Sequence, residues 1–297
     1  MNRLKRAIVL LTLCACVGAA PAQPQAQEQV VQDGIAVRPL SRWRVLAPET
    51  AINQQSAQQY KGLLEQAREK GALVPATHPE VQRLRRIADR LIPFTPRWNP
   101  AASKWKWEVN LLNSSQVNAF CMPGGRIAFF TGILSKLKLT DDEIAAVMGH
   151  EIAHALREHG REQMGKSTAT SIGARLGGAA LSAWLGIDPR MTDQVTGYAG
   201  QLMVLKFSRD DEREADLVGL DLAARAGFDP RAGVALWRKM AALNQQQPIA
   251  LFSTHPLGPE RIAQIENHMN VLLPLYARAK GTSVDRLPPY RTNVALR

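Results

Sequence analysis

One stretch constrains this chain more than any other: Thr140-Asp141-Asp142-Glu143, followed closely by His150-Glu151-Ile152-Ala153-His154. A threonine three residues before a glutamate is a capping box, in which Thr140 accepts from a free backbone N–H and Glu143 reaches back to the cap. A helix therefore begins at Asp141 and is expected to run through His159 to near Gly165. On it, His150 and His154 lie at i and i+4, project from one face, and are spaced to share one zinc ion. Ala145, Ala146 and Ala153 leave room for close approach by other elements.

Around this helix the pattern is mostly helical with a little strand, an α+β chain. Apolar spacings of three and four mark helices over 53–70 and 79–92, the second with Val81, Leu84, Ile87, Ala88 and Leu91 on one face. Pro93, Pro96 and Pro100 then end the periodicity. Alternation over 104–112, with short apolar runs at 116–121 and 126–130 around Met122-Pro123-Gly124-Gly125, predicts a small antiparallel sheet beside the metal-binding helix. The Ala- and Gly-rich stretch 167–205 reads as a helical hairpin packed on the body or dipping into a lipid surface; its charge-free runs are too short to span a bilayer. Helices are expected over 206–226, 231–243, 259–270 and 271–280, and a loose tail over 281–297.

The N-terminus reads as an address. Arg3, Lys5 and Arg6 precede the apolar run Ala7–Leu13, so residues 1–22 have the form of an export signal. Leu13-Cys14-Ala15-Cys16 resembles a lipobox that would lipidate Cys16, whereas Ala20-Pro21-Ala22 suits simple cleavage; residues 23–48 would then be a tether and extended arm. The expected location is the periplasm, with a lipid tether to the outer membrane. Loss of that segment lowers the formal charge from +11 to +8, and part of the basicity is targeting. No basic stretch is interleaved with aromatics and no zinc-finger spacing is present, which argues against nucleic acid as a partner. With three cysteines, Cys14, Cys16 and Cys121, a disulfide scaffold is excluded.

Glu151 stands beside the metal position and not on it, placed to take a proton from a water that the metal acidifies. Two imidazoles leave a catalytic zinc site one protein ligand short. His159 sits five residues past His154, off the ligand face, and reads as a charge partner for the helix C-terminus; His78 and His268 read as surface or capping residues. The missing ligand is best sought in Ser208-Arg209-Asp210-Asp211-Glu212-Arg213-Glu214-Ala215-Asp216. Glu212 and Asp216 share a helix face, so one can ligate while the other accepts a ligand histidine's second N–H. Spacing alone leaves Glu212 and Glu214 both open.

The chain resembles the HtpX-like zinc metallopeptidases, the gluzincin family that includes the CAAX prenyl endopeptidases and the mitochondrial Oma-type proteases. The resemblance rests on Asn118-Ala119-Phe120 with Pro123-Gly124-Gly125, His150 to His154, Glu212-x-x-x-Asp216 and Ser253-Thr254-His255-Pro256, in that order. It implies a zincin-type catalytic domain, here taken as 49–280, holding one zinc through His150, His154 and Glu212 with Asp216 behind them. It is most similar to the exported LoiP- and BepA-type branch, without a helical-repeat domain after the catalytic one. The activity expected is endoproteolysis of misfolded or unassembled cell-envelope proteins; the alternative is a zinc-containing chaperone or outer-membrane assembly factor that cuts little. Substrate is expected to lie along Asn118, Ala119 and Phe120 and add a strand to the sheet. Glu151 serves as base, with His255 first and Arg209 second as oxyanion donor. The resemblance gives His255 another reading, as a fourth ligand in a resting state.

Overall fold

A computed structural model describes residues 33–177, 206–247, 249–256 and 258–294. The expected export signal with Cys16, residues 23–32 of the expected tether and arm, and residues 178–205 of the expected hairpin lie outside them.

From Asp33 the chain runs extended across the body, burying Ile35 and Val37, and turns through a 3-10 segment at Arg42–Leu46. Helix α1 (Glu49–Glu69) follows, then α2 (Pro79–Leu91). Pro79 opens α2 where its missing N–H costs nothing, His78 caps it by accepting from the Glu80 amide, and the apolar face legible in the sequence is the face that is buried.

Strands β1 (Glu108–Leu112), β2 (Ala119–Met122) and β3 (Arg126–Phe130) form one sheet in the order β1-β3-β2. β2 and β3 make the expected antiparallel hairpin, but β1 lies parallel to β3, so the sheet is mixed and not antiparallel. The reason is the path of 113–118, which passes over the end of β3 and delivers β2 to its far side. Gly132 permits that crossing: a Cβ there would stand 2.3 Å from the Gln116 carbonyl oxygen. The outer edge of β1 is covered by residues 72–74, through Val74 N–H to Leu111 O (3.0 Å) and Asn113 N–H to Ala72 O (2.7 Å). Among the described residues no strand covers the outer edge of β2.

Helix α3 (Thr131–Leu137) leads into α4 (Asp141–Leu156), where both halves of the capping box form and nearly every side chain is buried. α4 is shorter than its pattern suggests. Glu158 adopts φ 57°, the left-handed region, and the chain restarts as α5 (His159–Gly177) in a new direction. Ion pairs hold the break: Glu158 binds Arg44 at 2.7 Å and Arg161 at 2.5 Å, while Arg157 binds Glu214. α6 (Arg209–Arg225) carries a second capping box, Ser208 with Asp211. α7 (Ala232–Gln246), the short α8 (Leu251–Thr254), α9 (Pro259–Asn267) and α10 (Met269–Ala279) pack around these two helices.

The expected loose tail is docked as far as the described chain runs. Thr292 donates to Glu143 at 2.6 Å and the Tyr290 hydroxyl meets Thr140 at 3.2 Å, so the tail covers the capping box of α4. Lys239 holds the other oxygen of Glu143 at 2.7 Å, in a pair that is almost wholly buried.

α4 and α6 meet backbone to backbone. A Cβ on Gly149 would lie 2.5 Å from Gly219 O, and one on Gly219 would lie 2.5 Å from His150 N. Gly149→Ala is therefore expected to cost about 1–3 kcal/mol by forcing the helices apart. Thermal unfolding measures the cost, and the same variant should bind zinc more weakly.

Candidate active site

Three elements converge. α4 supplies His150, Glu151 and His154, α6 supplies Glu212 and Asp216 one turn apart, and the end of α8 supplies His255. The Nε2 atoms of His150 and His154 are 3.1 Å apart. Glu212 reaches both, Oε2 at 3.5 Å from His150 and Oε1 at 3.4 Å from His154. His255 Nδ1 stands 3.3 Å from His150 Nε2 and 3.0 Å from Glu212 Oε1. One ligand atom from each of these four buried residues lies within 4.8 Å of all the others.

The cluster has the chemistry of a cation site. Asp216 Oδ1 sits 2.9 Å from His150 Nδ1; an ionised carboxylate only accepts, so the imidazole proton is on Nδ1 and Nε2 carries a lone pair. Glu212 adds two carboxylate oxygens, and Oε2 has no hydrogen bond although Arg261 Nη1 lies 2.7 Å away as a charge partner. Electron pairs gathered this closely repel one another unless a cation lies among them. Imidazoles with one carboxylate, shielded from water, are donors that suit zinc.

Burial dominates the titration here, and neighbours decide who resists it. Desolvation drives Glu151 above the ordinary carboxylate range despite His255 and His150 nearby. It drives His154 well below the ordinary imidazole range, favouring the neutral ring a ligand needs. Glu212 and Asp216 are also buried, but imidazoles around Glu212 and the Arg261 guanidinium on Asp216 outweigh that and hold both carboxyls low.

Of the residues singled out in the sequence, His150, Glu151, His154, Glu212, Asp216 and His255 come together. Arg209 does not: it is the first residue of α6, its side chain is 78% exposed, and its nearest partner is Glu260 at 4.0 Å. The buried cation is Arg261, which the sequence reading missed. It forks onto Asp216 with two bonds of 2.7 Å and lies over the Trp237 ring at 3.6 Å. Asp216 had one oxygen left over once it served His150, and that was the available signal. His159 was also misread: it is buried, and its Nδ1 lies 2.9 Å from His154 Nδ1.

A groove leads to this cluster, lined by Asn118, Ala119, Phe120 and Cys121 on one side and by Glu151, His154, Phe207 and His255 at its floor and end. Asn118 O accepts from the Phe130 amide. By strand alternation, Ala119 and Cys121 turn their main-chain groups to the open edge. The Ala119 N–H there is met by Asn118 Oδ1 at 3.0 Å.

A buried helix bearing paired histidines, a glutamate between them and an acid from a second helix define a zinc metalloendopeptidase. Residues 78–269 match the model of Peptidase family M48, and the chain belongs to that family. The family's metal is zinc, and the His150, His154, Glu212 and His255 group is where these residues would hold it. The chain is 34% identical over 196 residues to the mitochondrial metalloendopeptidase OMA1 of Schizosaccharomyces pombe, covering 65% of this chain and 54% of that one. It is 38% identical over 155 residues to the Arabidopsis thaliana protein of the same name, 52% of this chain and 30% of that one. The beta-barrel assembly-enhancing protease of Escherichia coli is 28% identical over 176 residues, 57% of this chain and 36% of its own. The match thus spans about half or less of each of these relatives, and the exported branch expected from the motifs is the more distant one.

These relatives overturn the expected periplasmic, outer-membrane lipoprotein, since the more similar ones are named mitochondrial. The physical reason is that Arg3, Lys5 and Arg6 with no acid before Glu28 do not distinguish the two addresses: transit peptides are basic and acid-poor as well.

Glu212→Ala is expected to lose zinc and peptide hydrolysis together, read by metal analysis and a cleavage assay, whereas Arg209→Ala leaves both unchanged. Zinc retained at the wild-type level in Glu212→Ala would move the ligand role elsewhere.

Proposed function

We propose that this metalloendopeptidase cuts extended segments of misfolded or unassembled polypeptides, in a mitochondrial setting like that named for its OMA1 relatives. The observation that carries the substrate class is the open edge of β2 beside Glu151 and His255. A folded protein has few main-chain groups to offer such an edge, while an unfolded segment offers them at any sequence. The apolar lining of Phe120, Cys121, Met122 and Phe207 suits side chains that a folded protein would bury.

In this reading His150, His154 and Glu212 would hold the zinc, and Asp216 fixes the His150 ring while Arg261 fixes Asp216. The ion, when bound, supplies Lewis-acid polarisation of the scissile carbonyl and acidifies a water. Glu151 takes that water's proton and returns it to the leaving nitrogen; burial raises its proton affinity, which suits both halves of the task. His255 Nε2 is 3.8 Å from Glu151 Oε1 and Nδ1 is on Glu212, so it either donates to the developing oxyanion or closes the site at rest. Ala119 and Cys121, whose main-chain groups face the open edge, hold the substrate main chain, while Asn118 and Phe120 spend theirs on β3. Residues 49–280 are the catalytic domain.

Glu151→Gln should keep one zinc per chain and cut hydrolysis of a labelled, unfolded model protein by roughly 10²-fold or more, the size expected when a general base is removed. A variant that cleaves at the wild-type rate would sink the mechanism. A wild-type protein that binds the unfolded chain but does not cut it, with or without a chelator, would favour the chaperone alternative.

A further inference from the structure

The two ligand histidines on α4 are not supported in the same way. His150 is oriented directly, by Asp216 at 2.9 Å. His154 has no carboxylate on its Nδ1; it faces His159, Nδ1 to Nδ1, at 2.9 Å. Two ring nitrogens at that distance share one proton, and which ring supplies it decides where the His154 lone pair points.

The far side of His159 settles the question. Its Nε2 is buried with no hydrogen-bond partner, and two carboxylate oxygens stand near it, Glu214 Oε2 at 3.8 Å and Asp211 Oδ1 at 4.0 Å. A lone pair aimed between two carboxylates is repelled and an N–H is attracted. The His159 proton therefore sits on Nε2, its Nδ1 accepts, and His154 donates from Nδ1. That leaves the His154 Nε2 lone pair facing His150 and Glu212.

Both carboxylates are pinned. Arg38 Nε binds Glu214 at 2.7 Å and its Nη2 binds Asp211; Arg157 binds Glu214 from the other side, and the Ser208 N–H holds Asp211 at 3.0 Å. Arg38 comes from the extended arm that precedes α1, so a segment outside the helical core closes the chain of contacts. Phe207 stacks on the His154 ring at 4.0 Å and 30°, fixing its plane.

We infer that His159 is a positioning residue of the metal centre, an acceptor set by Glu214 and Asp211 that fixes the tautomer of His154 and aims its free electron pair at the zinc. The inference rests on the zinc site proposed above. Outer partners of metal-bound histidines are worth ~10–100-fold in metal affinity.

The test compares three full-length proteins by zinc affinity, measured in competition with a chromophoric chelator, and by the visible spectrum of the cobalt-substituted form. His159→Leu fills the space without an acceptor, and His159→Asn returns an amide oxygen near the former Nδ1. The leucine variant is expected to bind zinc ~10–100-fold more weakly with a changed cobalt spectrum. The asparagine variant should recover most of both, and the metal-free forms of the two variants should melt alike. Leucine affinity within about twofold of wild type would overturn the role of His159 and leave the zinc site standing. Equal losses in both variants would also overturn it, reducing His159 to a space-filling role. A wild-type protein that binds no zinc would overturn the metal centre itself, and the inference with it.

Discussion

At Gly149 and Gly219 the backbones of α4 and α6 touch with no side chain between them, and that approach decides which residues face each other. It sets His150, the neighbour of Gly149, opposite Asp216, and brings Glu212 within reach of both histidines. A side chain at either glycine would push the acids away from the imidazoles by more than a hydrogen bond tolerates. The apolar packing of α2, α7 and α10 around this pair holds the crossing shut.

The crossing gathers a charge problem as well as a site. Glu151, Glu212, Asp216, Asp211 and Glu214 are all buried near one another, and an unpaired buried carboxylate is costly. The structure answers with cations from outside the two helices. Arg261 arrives from α9 to hold Asp216 and Glu212, and Arg38 arrives from the arm to hold Asp211 and Glu214. The chain's net charge of +11 says little about function because these local balances, not the excess, shape the centre.

What the sequence made legible were features carried by local pattern. The capping box fixed the start of α4, the i, i+4 spacing put His150 and His154 on one face, and the apolar stripe of α2 named its buried side correctly. What it hid were relations between distant segments. Nothing near Arg261 distinguishes it from a surface arginine on an amphipathic helix, because its partner Asp216 lies 45 positions away. Arg209, named second after His255 as oxyanion donor, occupies the first, solvent-facing position of α6. The break at Glu158 was masked by residues that read as helix on both sides, and with it the return of His159 towards His154. The direction of β1 was hidden for a similar reason: alternation reports which face is buried, not which neighbour runs alongside.

Side chains from α4, α6 and the end of α8 are placed to surround one zinc ion. Zinc-edge X-ray absorption of the purified full-length protein tests this placement most directly. The expected result is a shell of nitrogen and oxygen only, at about 2.0–2.1 Å, with the outer-shell scattering of at least two imidazoles. A sulfur scatterer near 2.3 Å would contradict it, since that would place Cys121 or another thiol on the metal in place of the carboxylate.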